Sequence, residues 1–232
     1  MNTRTLGSIV VFAVCMISQA ASAINLVNLG STAQSNKLAT RTMLADMRST
    51  YKMNDGSGKF RVHSQSLGEE ITKNIGENVD IISQIALTTK TIGTTKQGLG
   101  FTLGGGARYK VIDQGNIQLL SHCLLSYSRD EVEDIDNLEL ITKETNSLIE
   151  LHTGATVRYQ ISSLAALYSG LEVLPISQGK SKGGREEDSL NTRDGFSVIR
   201  VGAIYEIRDL ELRSEIATIS EKTLTVGGSY NF

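Results

Sequence analysis

The sequence predicts an all-β protein, an antiparallel transmembrane β-barrel of ten strands, with eight and twelve as the neighbouring even counts. Three observations carry this. Segment after segment alternates apolar with polar residues at a period of two, so each would run between two different environments. The segments reach the roughly 9–11 residues a tilted strand needs to cross a bilayer, against about 5–6 in an ordinary sheet. The breaks between them are asymmetric, with both long connections at one end and tight turns at the other.

Taken in chain order, Met1–Ala23 reads as a cleaved export signal. Arg4 supplies the positive start, Ile9–Ile17 the apolar run, and Ala21-Ser22-Ala23 the small-x-small cleavage site. The apolar run is far shorter than the about 20 residues of a membrane helix. Val14 precedes Cys15 where a lipid-anchor signal wants a small residue, so no lipid anchor is expected. Cleavage removes Cys15 and leaves Cys123 alone, which rules out a disulfide-stapled module. Residues 24–232 then form the mature domain, with 24–37 as a lead-in segment.

Leu38–Tyr51 is expected to be the first strand, with Met43, Ala45, Met47 and Tyr51 outward and Asp46 and Arg48 inward. The same residues sit at i, i+4 and i+8, which also fits a helix; the strand brings the count to ten. Phe60–Ile71 sets Phe60 and Val62 against Arg61, His63 and Gln65, with Arg61 and His63 inward and a slip near Gly68. Val79–Ile92 directs Ile81, Ile85 and Leu87 outward against Asp80, Gln84, Thr88 and Lys90. Phe101–Val111 alternates Phe101, Leu103, Tyr109 and Val111 with Thr102, Arg108 and Lys110. Ile117–Ser128 sets Leu119, Cys123, Leu125 and Tyr127 against His122 and Ser126. Leu148–Ile161 does the same with Ile149, Leu151, Val157 and Tyr159 against Glu150, His152 and Arg158. Ala165–Leu174 is weaker, with Leu167 and Leu171 opposite Tyr168 and Glu172. Phe196–Ile207 opposes Ile199, Val201 and Tyr205 to Arg200 and Glu206. Leu210–Ile219 opposes Leu212 and Ile216 to Glu211, Arg213 and Glu215.

The last segment, Thr223–Phe232 (TLTVGGSYNF), places Leu224, Val226, Tyr230 and Phe232 on one face and small polar residues on the other. A strand that stops on an aromatic residue, with a second aromatic two residues earlier, resembles the insertion signal of bacterial outer-membrane β-barrels. That resemblance implies recognition of Phe232, Tyr230, Val226 and Leu224 by the barrel-assembly machinery, and residence in the outer membrane of a Gram-negative envelope. It also implies contact with outer-membrane lipid and lipopolysaccharide. With both termini in the periplasm, 24–37 becomes a periplasmic segment. Met53–Gly58, Gly93–Gly98, Arg129–Asn146, Ile176–Asp194 and Ser220–Lys222 would then be extracellular, and Ile75–Asn78, Asp113–Asn116, Ser162–Leu164 and Arg208–Asp209 periplasmic turns. Aromatic residues sort into two bands: Tyr51, Phe60, Phe101, Tyr127 and Phe196 above, and Tyr109, Tyr159, Tyr205, Tyr230 and Phe232 below.

Function is less sharply written. Net charge is −2, without a basic stripe or aromatic platform, so no nucleic-acid partner is expected. The acidic run Arg129–Asp136 lacks calcium-loop spacing, and Gly98–Gly106 precedes no helix to cradle phosphate. No cofactor, metal or catalytic residue is assigned. Arg108, Glu150, Arg158, Glu172, Arg200, Glu206, Arg213 and Glu215 are expected to pair across a narrow lumen and largely fill it. The expected role is structural or surface-interacting, through loops 129–146 and 176–194, with limited pore activity. Two alternatives remain: a barrel enzyme, lipid A-modifying or proteolytic, resting on His63, His122 or His152; and an exported soluble β-sandwich adhesin.

Overall fold

The computed structural model describes residues 38–53, 59–92, 96–134, 143–183, 186–188, 190–193, 197–219 and 221–231. The export signal, segment 24–37 and Phe232 lie outside these residues. The strands are β1 (Leu38–Met53), β2 (Lys59–Asn74), β3 (Val79–Ile92), β4 (Lys96–Gln114), β5 (Ile117–Asp134), β6 (Lys143–Ser162), β7 (Ala165–Gly183), β8 (Glu186–Asp188), β9 (Leu190–Arg193), β10 (Ser197–Ile207), β11 (Leu210–Ile219) and β12 (Glu221–Asn231).

Ten of these build the wall. Each pairs antiparallel with its chain neighbours, β10 pairs with β7 across the short β8 and β9, and β12 pairs with β1 to close the ring. Leu38–Tyr51 is therefore a strand, and the helix alternative is excluded. Closure removes the sheet edges that a membrane cannot solvate. Followed from Leu44 through Leu67 and Leu87, the pairing reaches Phe101. Followed the other way, it reaches Gln114 of the same β4. That stagger is the signature of tilted strands in a narrow barrel.

The wall has the expected two faces. Ile85, Leu87, Leu125, Val201, Ile216 and Leu224 point outward and are exposed, as lipid-facing residues are. Phe101 and Tyr127 meet edge-to-face at one end, their centroids 6.3 Å apart. Tyr109, Tyr159, Tyr205 and Tyr230 are exposed at the other. Tyr51 does not join the upper band: it is buried on the inward face. The side chains of Phe60 and Phe196 lie outside the described residues.

β1 reverses the expected facing. Met43, Ala45 and Met47 are buried inside the barrel, and Asp46 and Arg48 face outward. β2 follows in register: Val62 points inward and Arg61 and His63 outward. Alternation fixes which residues share a face, not which face is inside. Here the interior takes the apolar set because Met43 and Met47 fill the lumen.

The turns at the end that carries both chain termini are tight, with only 75–78, 115–116, 163–164 and 208–209 between strands. By the barrel rule this is the periplasmic end. Gly115, with φ of +57°, occupies the left-handed position of the β4–β5 turn. At the opposite end much of what reads as loop is strand. Residues 130–133 pair with 143–146, and 144–151 pair with 176–183, so β4–β7 rise as a sheet above the wall. The gap above the shorter β10–β12 is bridged by β9, which pairs with β1 at Tyr51 and Met53 and with β7 at Gln178.

Gly106 marks a close approach between β4 and β5. A Cβ there would lie 2.1 Å from the Cys123 carbonyl oxygen, whereas one at Gly76 would meet nothing within 4 Å. Gly106→Ala should therefore cost about 1–3 kcal/mol, read as a lower urea midpoint of the refolded protein, and Gly76→Ala should leave the midpoint unchanged. Equal midpoints for the two variants would contradict this packing.

Candidate functional site

The inward faces meet in a dense polar cluster. Arg200, fully buried, stands among three carboxylates: Glu215 at 3.2 Å, Glu172 at 3.3 Å and Glu221 at 3.3 Å. These come from β10, β11, β7 and β12, so one guanidinium ties four strands. Three carboxylates around one cation would repel, and further donors offset this. His152 Nδ1 lies 2.9 Å from Glu172, and His122 Nε2 lies 3.5 Å from its other oxygen. Thr223 donates to Glu221 at 3.0 Å. The Tyr168 hydroxyl donates to Glu215 at 2.7 Å and accepts from Arg213 Nε at 2.6 Å, while Arg213 also pairs with Glu215. The Arg213 guanidinium lies 4.8 Å from the Tyr168 ring centre, a cation–π contact that adds to the lock.

Nearer the periplasmic end, Arg41 pairs with Glu70 and reaches Glu211 at 3.6 Å. Arg108 is held by Asp80 at 2.8 Å, and Asn74 donates to the same carboxylate at 3.0 Å. Arg158 pairs with the half-exposed Glu206. At the upper end Lys90 pairs with Asp130, which also accepts from Asn146 at 2.9 Å.

Of the eight charges singled out in the sequence, Glu172, Arg200, Arg213 and Glu215 converge on one cluster. Glu150 borders it, 3.7 Å from His152 and accepting from Ser177 at 3.1 Å. Arg158 and Glu206 form a separate pair, and Arg108 belongs to the Asp80 cluster. Arg41, Glu70, Asp80, Asp130 and Glu221 were not singled out. Glu221 and Arg41 sit at strand ends whose facing is set only by the β1–β12 register, which alternation alone does not supply.

The lumen also holds an apolar plug that the sequence reading missed. Ile82, Leu124, Ala166, Tyr168 and Ile204, from β3, β5, β7 and β10, pack together in its interior. The sequence signal was present, since Ile82 interrupts the polar face of β3. Toward the outer face of the raised strands, a cleft of about 590 Å³ opens between β3, β4 and β5, lined in part by Lys90, Gln97, Phe101, Arg129 and Glu131.

The histidines divide. His122 and His152 are sealed within the cluster, with side chains 1 % and 0 % exposed. His63 faces outward, 3.0 Å from Asp46. Among the described residues no group of His, Cys, Asp and Glu has a metal-holding arrangement. Leu224, Val226 and Tyr230 all face outward on β12, the last strand.

A closed antiparallel wall, an outward apolar belt between aromatic bands and a filled polar lumen define the outer-membrane class of β-barrel. Comparison with solved structures agrees on the fold. The chain is similar to the translocator domain of the autotransporter NalP from Neisseria meningitidis, with a TM-score of 0.51 at 11% identity over 99% of this chain and 97% of that one. It is similar to the outer-membrane protease OmpT from Escherichia coli, with a TM-score of 0.56 at 8% identity, covering 87% and 99%. The transport unit of the autotransporter AIDA-I from Escherichia coli gives 0.50 at 11% identity, covering 94% and 97%. No protein-family model and no curated protein sequence matches the chain.

Removing the central cation should expose the dependence of the cluster on it. Arg200→Met leaves Glu172, Glu215 and Glu221 buried beside one another and should lower unfolding free energy by about 3–5 kcal/mol. Urea titration of the refolded barrel checks this; an unchanged midpoint would mean that the four strands are not tied through Arg200.

Proposed function

We propose that this chain is a non-catalytic barrel of the bacterial outer membrane that presents its raised β4–β7 sheet to extracellular partners. The observation that carries the reading is the contrast between the two ends of the same strands. The membrane-level lumen is filled by the Ile82–Leu124–Tyr168 plug and the Arg200 cluster. The extracellular ends are extended, charged and furnished with a cleft. A filled lumen favours presentation over diffusion, and leaves at most a narrow path for small ions.

The protease likeness of OmpT raises the enzymatic alternative, since that protein shares the fold. The histidines argue against carrying chemistry over. His122 and His152 are enclosed with Glu172, and His63 is on the outer wall, so none offers a base to a substrate entering from outside. Insertion is proposed to proceed through the barrel-assembly machinery reading β12 and its terminal Phe232, and the wall is proposed to lie against outer-membrane lipid and lipopolysaccharide.

Two measurements test the reading. In a planar bilayer the protein should give no sustained open current, and the triple variant Ile82→Gly, Leu124→Gly, Tyr168→Gly should conduct; a wild-type current equal to that of the variant would sink the plug. Deleting Phe232 should lower the amount of heat-modifiable, folded protein in the outer membrane several-fold. Wild-type levels of the truncated barrel would remove the assembly role from that residue.

A further inference from the structure

The outward face of β1 and β2 departs from the rule that the rest of the wall follows. Its rows, read across the two strands from the extracellular side, are Arg48–His63, Asp46–Gln65, Leu44–Leu67 and Thr42–Glu69. On either side the rows run into apolar wall. Leu87 and Ile85 of β3 continue the rows of Leu67 and Glu69, and Leu224 and Val226 of β12 flank Asp46 and Leu44. Glu69 is thus paired with the exposed Ile85, at the depth of the apolar belt. Between the two aromatic bands, β3–β7 and β10–β11 turn no charged residue outward among the described residues.

Acyl chains neither donate nor accept hydrogen bonds, so a carboxylate or amide on this wall is satisfied only by protein. Within one chain the supply is partial. His63 at 3.0 Å and Gln65 at 3.2 Å both approach Oδ2 of Asp46, whose side chain stays 31% exposed. Oδ1 takes neither, and a carboxylate has about four acceptor sites. Arg48 is coupled to Asp46 through charge but hydrogen-bonds to nothing among the described residues. Glu69 accepts from Thr42 at 2.6 Å, through one oxygen.

We infer that this face is covered in the membrane by the same face of a second copy of the chain. Two copies inserted in one direction are related by a two-fold axis along the membrane normal. Such a contact is isologous, so each surface must complement itself. With the axis between β1 and β2, β1 of each copy lies against β2 of the other. The two members of a row differ in depth by only about 3 Å in tilted strands, so each row meets its own image. The rows are self-complementary. The Thr42 hydroxyl faces the second copy's Glu69 carboxylate, Leu44 packs on its Leu67, and the Gln65 amide faces its Asp46. Arg48, one row higher, supplies a charge-assisted bond to Oδ1 of the same Asp46. Lipid is a poorer occupant, because acyl chains satisfy none of these groups. An unrelated barrel would need a matching strip, which a second copy carries already. The inference goes beyond the proposed surface role and rests on the barrel reading.

The test is disulfide crosslinking in native outer membranes, with Cys123→Ser removing the native thiol. Two differently tagged copies are co-expressed, one carrying Leu44→Cys and the other Leu67→Cys. Oxidation should give a product of twice the monomer mass that carries both tags. Copies that both carry Leu125→Cys, outward on β5 and away from the strip, should stay monomeric. Removing the cross-facing donors with Thr42→Val and Gln65→Leu should lower the crosslinked fraction at least about fivefold, since polar contacts help hold packed segments together in lipid. Should that double variant fail to fold, the cysteine pair alone still decides. Monomer only, a product joining one tag to a different protein, or an equal product from Leu125→Cys would each overturn the interface. Heat-dependent mobility of the uncrosslinked chain reports the barrel independently, so absence of the dimer with the mobility shift intact counts against the interface alone.

Discussion

A strand in hydrocarbon has no water to satisfy its backbone, and each unpaired group costs several kcal/mol. That constraint forces the wall to close, and the rest of the molecule follows from how it closes. The seam between the first and last strands runs from Ala39 opposite Asn231 to Ser49 opposite Glu221. Above it β10–β12 stop, and the edges of β1 and β7 would stand open. The β9 segment spans that opening by pairing with both. The extracellular rim is thus rebuilt from a connection, which is why a stretch that reads as loop contains two short strands.

Closure with tilted strands also fixes the lumen. A ten-strand ring is narrow enough that side chains from opposite walls touch, so every inward residue must suit those facing it. Burying Arg200 is tolerable only because three carboxylates surround it, and three carboxylates are tolerable only because His152, Thr223, Tyr168 and Arg213 add donors. Such a cluster gives little net stability over a well-packed apolar core, but removing one member leaves uncompensated charge. It therefore locks register among β7, β10, β11 and β12. The apolar plug links β3 and β5 to β7 and β10 without that electrostatic cost.

The fold was largely legible because alternation, turn spacing and strand length are local. Tyr168 and Glu172 were placed inward, and the four periplasmic turns fall where expected. The facing of β1 and β2 was not legible. Met43, Ala45 and Met47 look like a lipid-facing stripe, and only the register with β12 shows that Asp46 shares the outward side with Leu224. Register is a long-range property, and a strand with one apolar and one charged face is ambiguous without it. The Arg200 cluster suffered similarly: Glu172, Arg200, Arg213 and Glu215 from strand interiors were named, whereas Glu221, the first residue of β12, was not. The extent of β7 was underestimated because residues 177–183 are polar or glycine on both sides, as befits a sheet in water above the membrane, where alternation carries no signal.

The outward polarity of β1 and β2 then demands its own physical account. Cations on a lipid-facing wall cost about 2–4 kcal/mol at the midplane and about 0–1 kcal/mol near the interface. Lys222 sits at the top of its strand, and Arg48 lies beside it, so their depth makes them nearly free to keep. The acids lie deeper, and there each has a partner: Asp46 has His63 and Gln65, and Glu69 has Thr42. Depth and pairing vary together: the deeper acids each carry a hydrogen-bond partner, and the cations stand at the level that water and headgroups reach. A wall selected only for apolarity would carry none of these residues.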